Sequence, residues 1–134
     1  MQVIDAQVHI WGSGQPSGDH RQVSAFTAAE LIAEMQAAGV DGAVLHPPSW
    51  DAASNEMAVA AAEAHPDRFC ILGWFPLDDP AQRHRVDTWL QRPGMRGLRW
   101  SLTRPGQERW HEDGTMDWLW PAAEAAGTPV ATMA

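Results

Sequence analysis

Asp5, Gln7 and His9 alternate along the first apolar run of the chain, QVIDAQVH at residues 2–9. In an extended segment, side chains two apart share a face. A carboxylate, an amide and an imidazole therefore point the same way, while Ile4, Ala6 and Val8 point the other. Core filling does not call for that set. His9 stands at the end of the run beside Trp11, where a general base or a metal ligand belongs. Asp5 is suited to orient such an imidazole, and Gln7 to contact substrate or water. A histidine bonded only to a neighbouring carbonyl is the structural alternative.

Other candidates follow later runs. His46 closes one, before Pro47-Pro48, and either meets substrate or simply ends the segment. Arg99 stands near the end of another, where its guanidinium can fork a carboxylate or pair with a neighbouring strand. Trp11, Trp50, Trp74 and Trp100 all fall at or just after run ends, as lining for a flat apolar substrate or as core aromatics. Trp110-His111 sits in a loop that can act as a lid or stay solvated. His20, His65 and His84 read as structural or solvent-exposed, and Cys70 as a small hydrophobe.

The elements that must position these residues alternate in kind. Strands are expected over 2–9, 42–46, 69–75, 95–101 and 129–133. Helices are expected from Thr27 to Gly39, from Asn55 to about Ala64, from Pro80 to about Leu90 and over 116–126. Thr27 with Glu30 forms a capping box, and Asp79-Pro80 an N-cap with proline at the first helical position. Strand–helix alternation implies parallel βαβ units. A barrel of eight units has roughly 31 residues per unit, so four units and a fifth strand fill the 134 residues. The expected fold is α/β, about half of a (β/α)₈ (TIM) barrel, with residues 1–134 as a single partial barrel domain.

A doubly wound sheet would show the same alternation, and Gly12-Ser13-Gly14 with Gly18 superficially resembles a phosphate loop. The dinucleotide motif requires its helix to start within the loop. Here Pro16 interrupts it and the helix starts some nine residues after Gly18, so a flexible loop is expected.

Composition narrows the partners. The chain carries 9 Lys plus Arg against 17 Asp plus Glu, a formal charge of -8, and every one of the nine is Arg. That balance argues against nucleic acid, whose binders need clustered cations, and the absence of lysine removes Schiff-base chemistry. One cysteine forms no internal disulfide, no leader is read before the first strand, and no apolar run reaches the ~20 residues of a membrane helix. A cytoplasmic protein with a small-molecule substrate, no nucleic-acid partner and no membrane partner is expected.

The run VIDAQVHIW resembles the opening strand of the amidohydrolase-related (amidohydrolase 2) family, metal-dependent hydrolases of the TIM-barrel fold, in which Asp-x-His-x-His precedes an aromatic. AAGVDGAVLHPPSW, AHPDRFCILGWFPLDDP, PGMRGLRWSL and DWLWPAAEAAGTPV follow in that family's order, so the likeness covers the N-terminal half of such an enzyme. It implies hydrolysis of a small cyclic ester (a lactone) or amide, with His9 as metal ligand or base and Arg99 holding substrate charge. It also implies a divalent, zinc-type metal, against which stands Gln7 in the place of the motif's first histidine, an amide oxygen being a poorer ligand than imidazole. Further ligands of the family would lie beyond residue 134, leaving this chain alone with an incomplete site. The alternative from the same residues is a non-catalytic half-barrel that self-associates into a homo-oligomer or needs a complementary half, because its edge strands are unpaired.

Overall fold

Five short runs build the strands among the described residues: β1 (Ile4–Val8), β2 (Gly42–Leu45), β3 (Phe69–Gly73), β4 (Met95–Ser101) and β5 (Val130–Met133). The computed structural model describes residues 1–133; Ala134, included in the expected domain, lies outside the described residues. The strands form one parallel sheet in the order β1-β2-β3-β4-β5. The sheet curls into half of a TIM barrel, as expected.

Three α-helices, α1 (Ala28–Ala38), α2 (Ser54–Ala64) and α3 (Leu119–Ala126), and a 3₁₀ helix over Pro80–Gln91 occupy the crossovers. Thr27 and Glu30 make the capping box in both directions, at 3.3 Å for Glu30 N–H to Thr27 Oγ1 and 2.7 Å for Thr27 N–H to Glu30 Oε2. Gly39 ends α1 in the left-handed region, φ 69°, which glycine enters without a Cβ penalty. Asp79 caps the 3₁₀ helix through Ala81 N–H with Pro80 in the first turn. The differences from expectation are the tighter 3₁₀ winding there, the start of α3 at Leu119 rather than near 116, and shorter strands β1, β2, β3 and β5 than the expected 2–9, 42–46, 69–75 and 129–133.

The core lies between the sheet and these helices. On β3, Phe69, Ile71 and Gly73 are buried while Cys70 and Leu72 are half-buried, so alternate residues meet the helical layer. Trp89 from the 3₁₀ helix fills this layer and donates Nε1–H to Gly97 O at 2.9 Å. A Cβ on Gly73 would come within 2.7 Å of both Trp89 and Asn55 Oδ1; only glycine allows that approach. β1 is exposed along almost its whole length, and β1 and β5 each have one unpaired edge.

Candidate active site

The carboxyl ends of β1–β4 and the loops after them enclose a cleft of about 600 Å³, the end of the strands where barrel enzymes place their sites. Gln7, His9, Trp74, Arg99 and Trp100 line it. Those five expected site residues are therefore brought together.

His9 lies one residue past β1. Its Nδ1 bonds the backbone carbonyl of His46 at 2.6 Å. A carbonyl only accepts, so Nδ1 carries the proton, and neutral His9 keeps its lone pair on Nε2. Among the described residues nothing bonds that Nε2. Burial pushes the pKa of His9 down, the hydrogen bond to His46 opposes this, and the charges of His20 and Arg99 lower it further. The ring is thus held neutral near pH 7.

His46 acts from behind. Its N–H bonds Val8 O at 2.7 Å, its carbonyl holds His9, and its Nε2 bonds Ala6 O at 3.1 Å. Nε2 must donate, so in the neutral ring Nδ1 is the unprotonated nitrogen, and this Nδ1 is buried without a partner. Burial, then Arg99, lowers the His46 pKa to about 4. The expected substrate contact from the His46 side chain is corrected: the ring is 5% exposed and locks β2 to β1.

Two further expectations are revised by placement. Asp5 does not orient His9; its Oδ1 accepts the Gln7 N–H at 3.0 Å, and the orienting acceptor is the His46 carbonyl. Trp11 is packed in the core against Phe26, with its backbone paired to Phe26 in both directions and its indole N–H on Val23 O at 3.1 Å. Trp100 does reach the cleft, held by its Nε1–H on Phe75 O at 2.9 Å.

Arg99 is half-buried on β4, and burial lowers its pKa. Among the described residues no carboxylate pairs with it. A cation drawn into a cleft without a counterion is a ready site for an anionic ligand. Arg104, on the loop after β4, bonds Ser49 Oγ on the opposite wall.

His20 is the residue that sequence reasoning set aside. Its ring meets His9 edge-on at 4.8 Å between centroids and Trp50 at 4.7 Å, and Ser17 Oγ bonds its Nδ1 at 2.6 Å. The Trp11–Phe26 pairing and the bonds from Gly12 and Ser13 to Asp51, which hold the 12–25 loop over β1, bring it there. No local pattern marks that. Trp50 and Trp110 complete the aromatic lining.

Among the described residues no group of three His, Cys, Asp or Glu is placed to hold a metal. With an amide at position 7 and one free imidazole nitrogen at His9, the donors of this chain do not make a divalent site by themselves.

The sequence matches the amidohydrolase family over residues 4–134, and the chain belongs to that family. No curated protein matches it. Several solved structures share the fold. One is described as a probable 2-pyrone-4,6-dicarboxylic acid hydrolase from Acinetobacter baumannii with citric acid bound, 17% identical, TM-score 0.70, covering 100% of this chain and 50% of that one. A second is the 5-carboxyvanillate decarboxylase of Novosphingobium aromaticivorans complexed with manganese and a nitrobenzoic acid, 17% identical, TM-score 0.71, covering 96% and 49%. A third is the IDCase of Metarhizium anisopliae in apo form, 13% identical, TM-score 0.75, covering 98% and 50%. The chain spans about half the length of each. No helix among the described residues is long and apolar enough to cross a membrane.

Proposed function

We propose that this half-barrel carries the base and the anion-holding arginine of a hydrolase for a small cyclic ester (a lactone) or amide bearing a carboxylate. The observation that supports it is the pairing, on one cleft, of a neutral His9 with Nε2 free and an Arg99 without a counterion. Arg99 forks the substrate carboxylate, and the tryptophan walls hold the ring flat. His9 Nε2 takes a proton from water as the water oxygen bonds the acyl carbon. The acyl–oxygen or acyl–nitrogen bond then breaks, the leaving atom takes that proton back from His9, and the open-chain acid is released. Gln7 contacts the water or substrate at the strand end.

For a divalent metal, as the manganese-bound relative carries, His9 would be one ligand, and no group of three His, Cys, Asp or Glu among the described residues completes a site. The remaining donors would come from a complementary barrel half, and the scheme above draws on none of them. The reading is of a chain that works with such a half, in an aqueous compartment expected to be the cytoplasm. Turnover of carboxylated lactones and cyclic amides by a complete barrel containing this chain, with His9 and with His9→Ala, tests it: saturable hydrolysis lost in the variant supports the reading, and equal rates in both refute it.

The unpaired edges favour a second reading, a non-catalytic half-barrel that self-associates. Ile4 on β1 and Met133 on β5 are 49% and 46% exposed, and open edges template further pairing. Sedimentation of the chain decides it: a defined dimer without turnover supports this reading, and a monomer that hydrolyses lactone contradicts it.

A further inference from the structure

Two polar side chains four residues apart, at the start of α2, are buried behind the cleft and bond its walls. Asp51 is 2% exposed. Its Oδ2 accepts Gly12 N–H at 2.8 Å and Ser13 N–H at 3.2 Å, and its Oδ1 accepts Ala53 N–H at 2.9 Å and Ser13 O–H at 3.2 Å. Four donors balance the burial of this carboxylate, and together they hold its pKa below the ordinary value against the opposing effect of burial. They tie the loop after β1 to the loop after β2. The two backbones touch there: a Cβ on Gly14, whose φ is +86°, would lie 2.4 Å from Trp50 O.

Asn55 holds the loop after the adjacent strand β3. Its Nδ2 donates to Trp74 O at 2.7 Å and its Oδ1 accepts Trp74 N–H at 3.2 Å, so one amide satisfies both backbone groups of a cleft tryptophan. Next to Asp51, Trp50 lies against His20 and, at 6.0 Å between ring centroids, against His9.

We propose that Asp51 and Asn55 are positioning residues that fix Trp50 and Trp74, on the loops after the adjacent strands β2 and β3, and thereby shape the aromatic lining that meets a flat ring. Neither touches the reacting atoms. The proposal rests on the cleft being the substrate site, but the arrangement of its walls is measurable without substrate.

The test is the set of nuclear Overhauser contacts among Trp50, Trp74, His9 and His20 in the isotope-labelled chain. Asp51→Asn turns one acceptor toward N–H donors as an NH₂. It is expected to abolish the Trp50–His20 and Trp50–His9 contacts while the Trp74 signals and the Ile71 and Leu98 methyls stay in place. Asn55→Asp sets a carboxylate against Trp74 O and should displace the Trp74 indole while the Trp50–His20 contacts persist. Ser13→Ala removes one of the four bonds to Asp51, should weaken the same Trp50 contacts, and decides the matter if Asp51→Asn unfolds. Unchanged Trp50 contacts in both Asp51→Asn and Ser13→Ala would overturn the proposal. A failed hydrolysis assay beside lost Trp50 contacts would instead overturn the function and leave the positioning role standing.

Discussion

The imidazole of His9 is fixed by the backbone carbonyl of His46, 2.6 Å away just past the end of the neighbouring strand. The same histidine returns its own ring nitrogen to Ala6 O on β1. The residue just past β2 thus sets both the register at the end of β1 and the tautomer of the candidate base. Because the acceptor is main chain, a side-chain change at position 46 leaves it in place, which makes the effects of the two histidines separable.

His9 carries the proton transfer in the proposed hydrolysis. His9→Gln should lower kcat by about 10²–10⁴-fold, the usual contribution of a positioned general base. Steady-state hydrolysis of a carboxylated lactone by wild type and variant measures it, and a rise in KM with kcat unchanged would assign His9 to binding instead.

Arg99 is a half-buried cation that no carboxylate among the described residues pairs with, so function and stability should part company there. Arg99→Met removes the desolvation of that charge while keeping much of its apolar stem. Urea unfolding is expected to show unchanged or slightly raised stability. KM for an anionic substrate should rise about 10–100-fold, as a lost charge-assisted bond of roughly 1.5–3 kcal/mol implies, while an uncharged lactone should show no such rise.

His46 gives the protein an acid-side weakness. Its folded pKa is near 4, against an ordinary 6.5. Between those values the unfolded chain binds a proton that the folded chain refuses, so stability falls as pH drops from about 6.5 toward 4 and this effect is absent above 6.5. The loss from this group is on the order of 1–3 kcal/mol. His46→Gln keeps a donor for Ala6 O but does not titrate. Urea midpoints at pH 7, 5.5 and 4.5 should therefore fall less steeply in that variant than in wild type.

The capping box is remote from the cleft and should show it. Thr27→Ala is expected to cost about 1 kcal/mol, read as a lower urea midpoint, with the His9 and His20 resonances unmoved.

The barrel half was legible because its signals are local. Period-two strands, the Thr27–Glu30 box, Asp79-Pro80 and the prolines after each unit specify elements within a few residues, and parallel βαβ units leave few ways to arrange them. His9, Gln7 and Arg99 were legible for the same reason, since barrel strands deliver their ends to one rim. The loop over the cleft was not. His20 meets His9 through a bridge between Trp11 and Phe26 and through Asp51 bonds spanning 38 and 39 residues, which no spacing rule anticipates. Position at a strand end leaves Trp11 and His46 open between cleft and core, and hydrogen bonds to Val23 O and Ala6 O turn both rings into the protein.

The protonation state of His9 beside an anion held by Arg99 is the most direct test of this account. A long-range proton–nitrogen spectrum at pH 7, taken with and without an aromatic carboxylate, reads it. The account predicts a neutral ring protonated on Nδ1, with an Nε2 signal that moves on adding the carboxylate in wild type and stays still in Arg99→Met. A ring protonated on Nε2 or on both nitrogens, or an Nε2 signal that ignores the carboxylate in wild type, would contradict it.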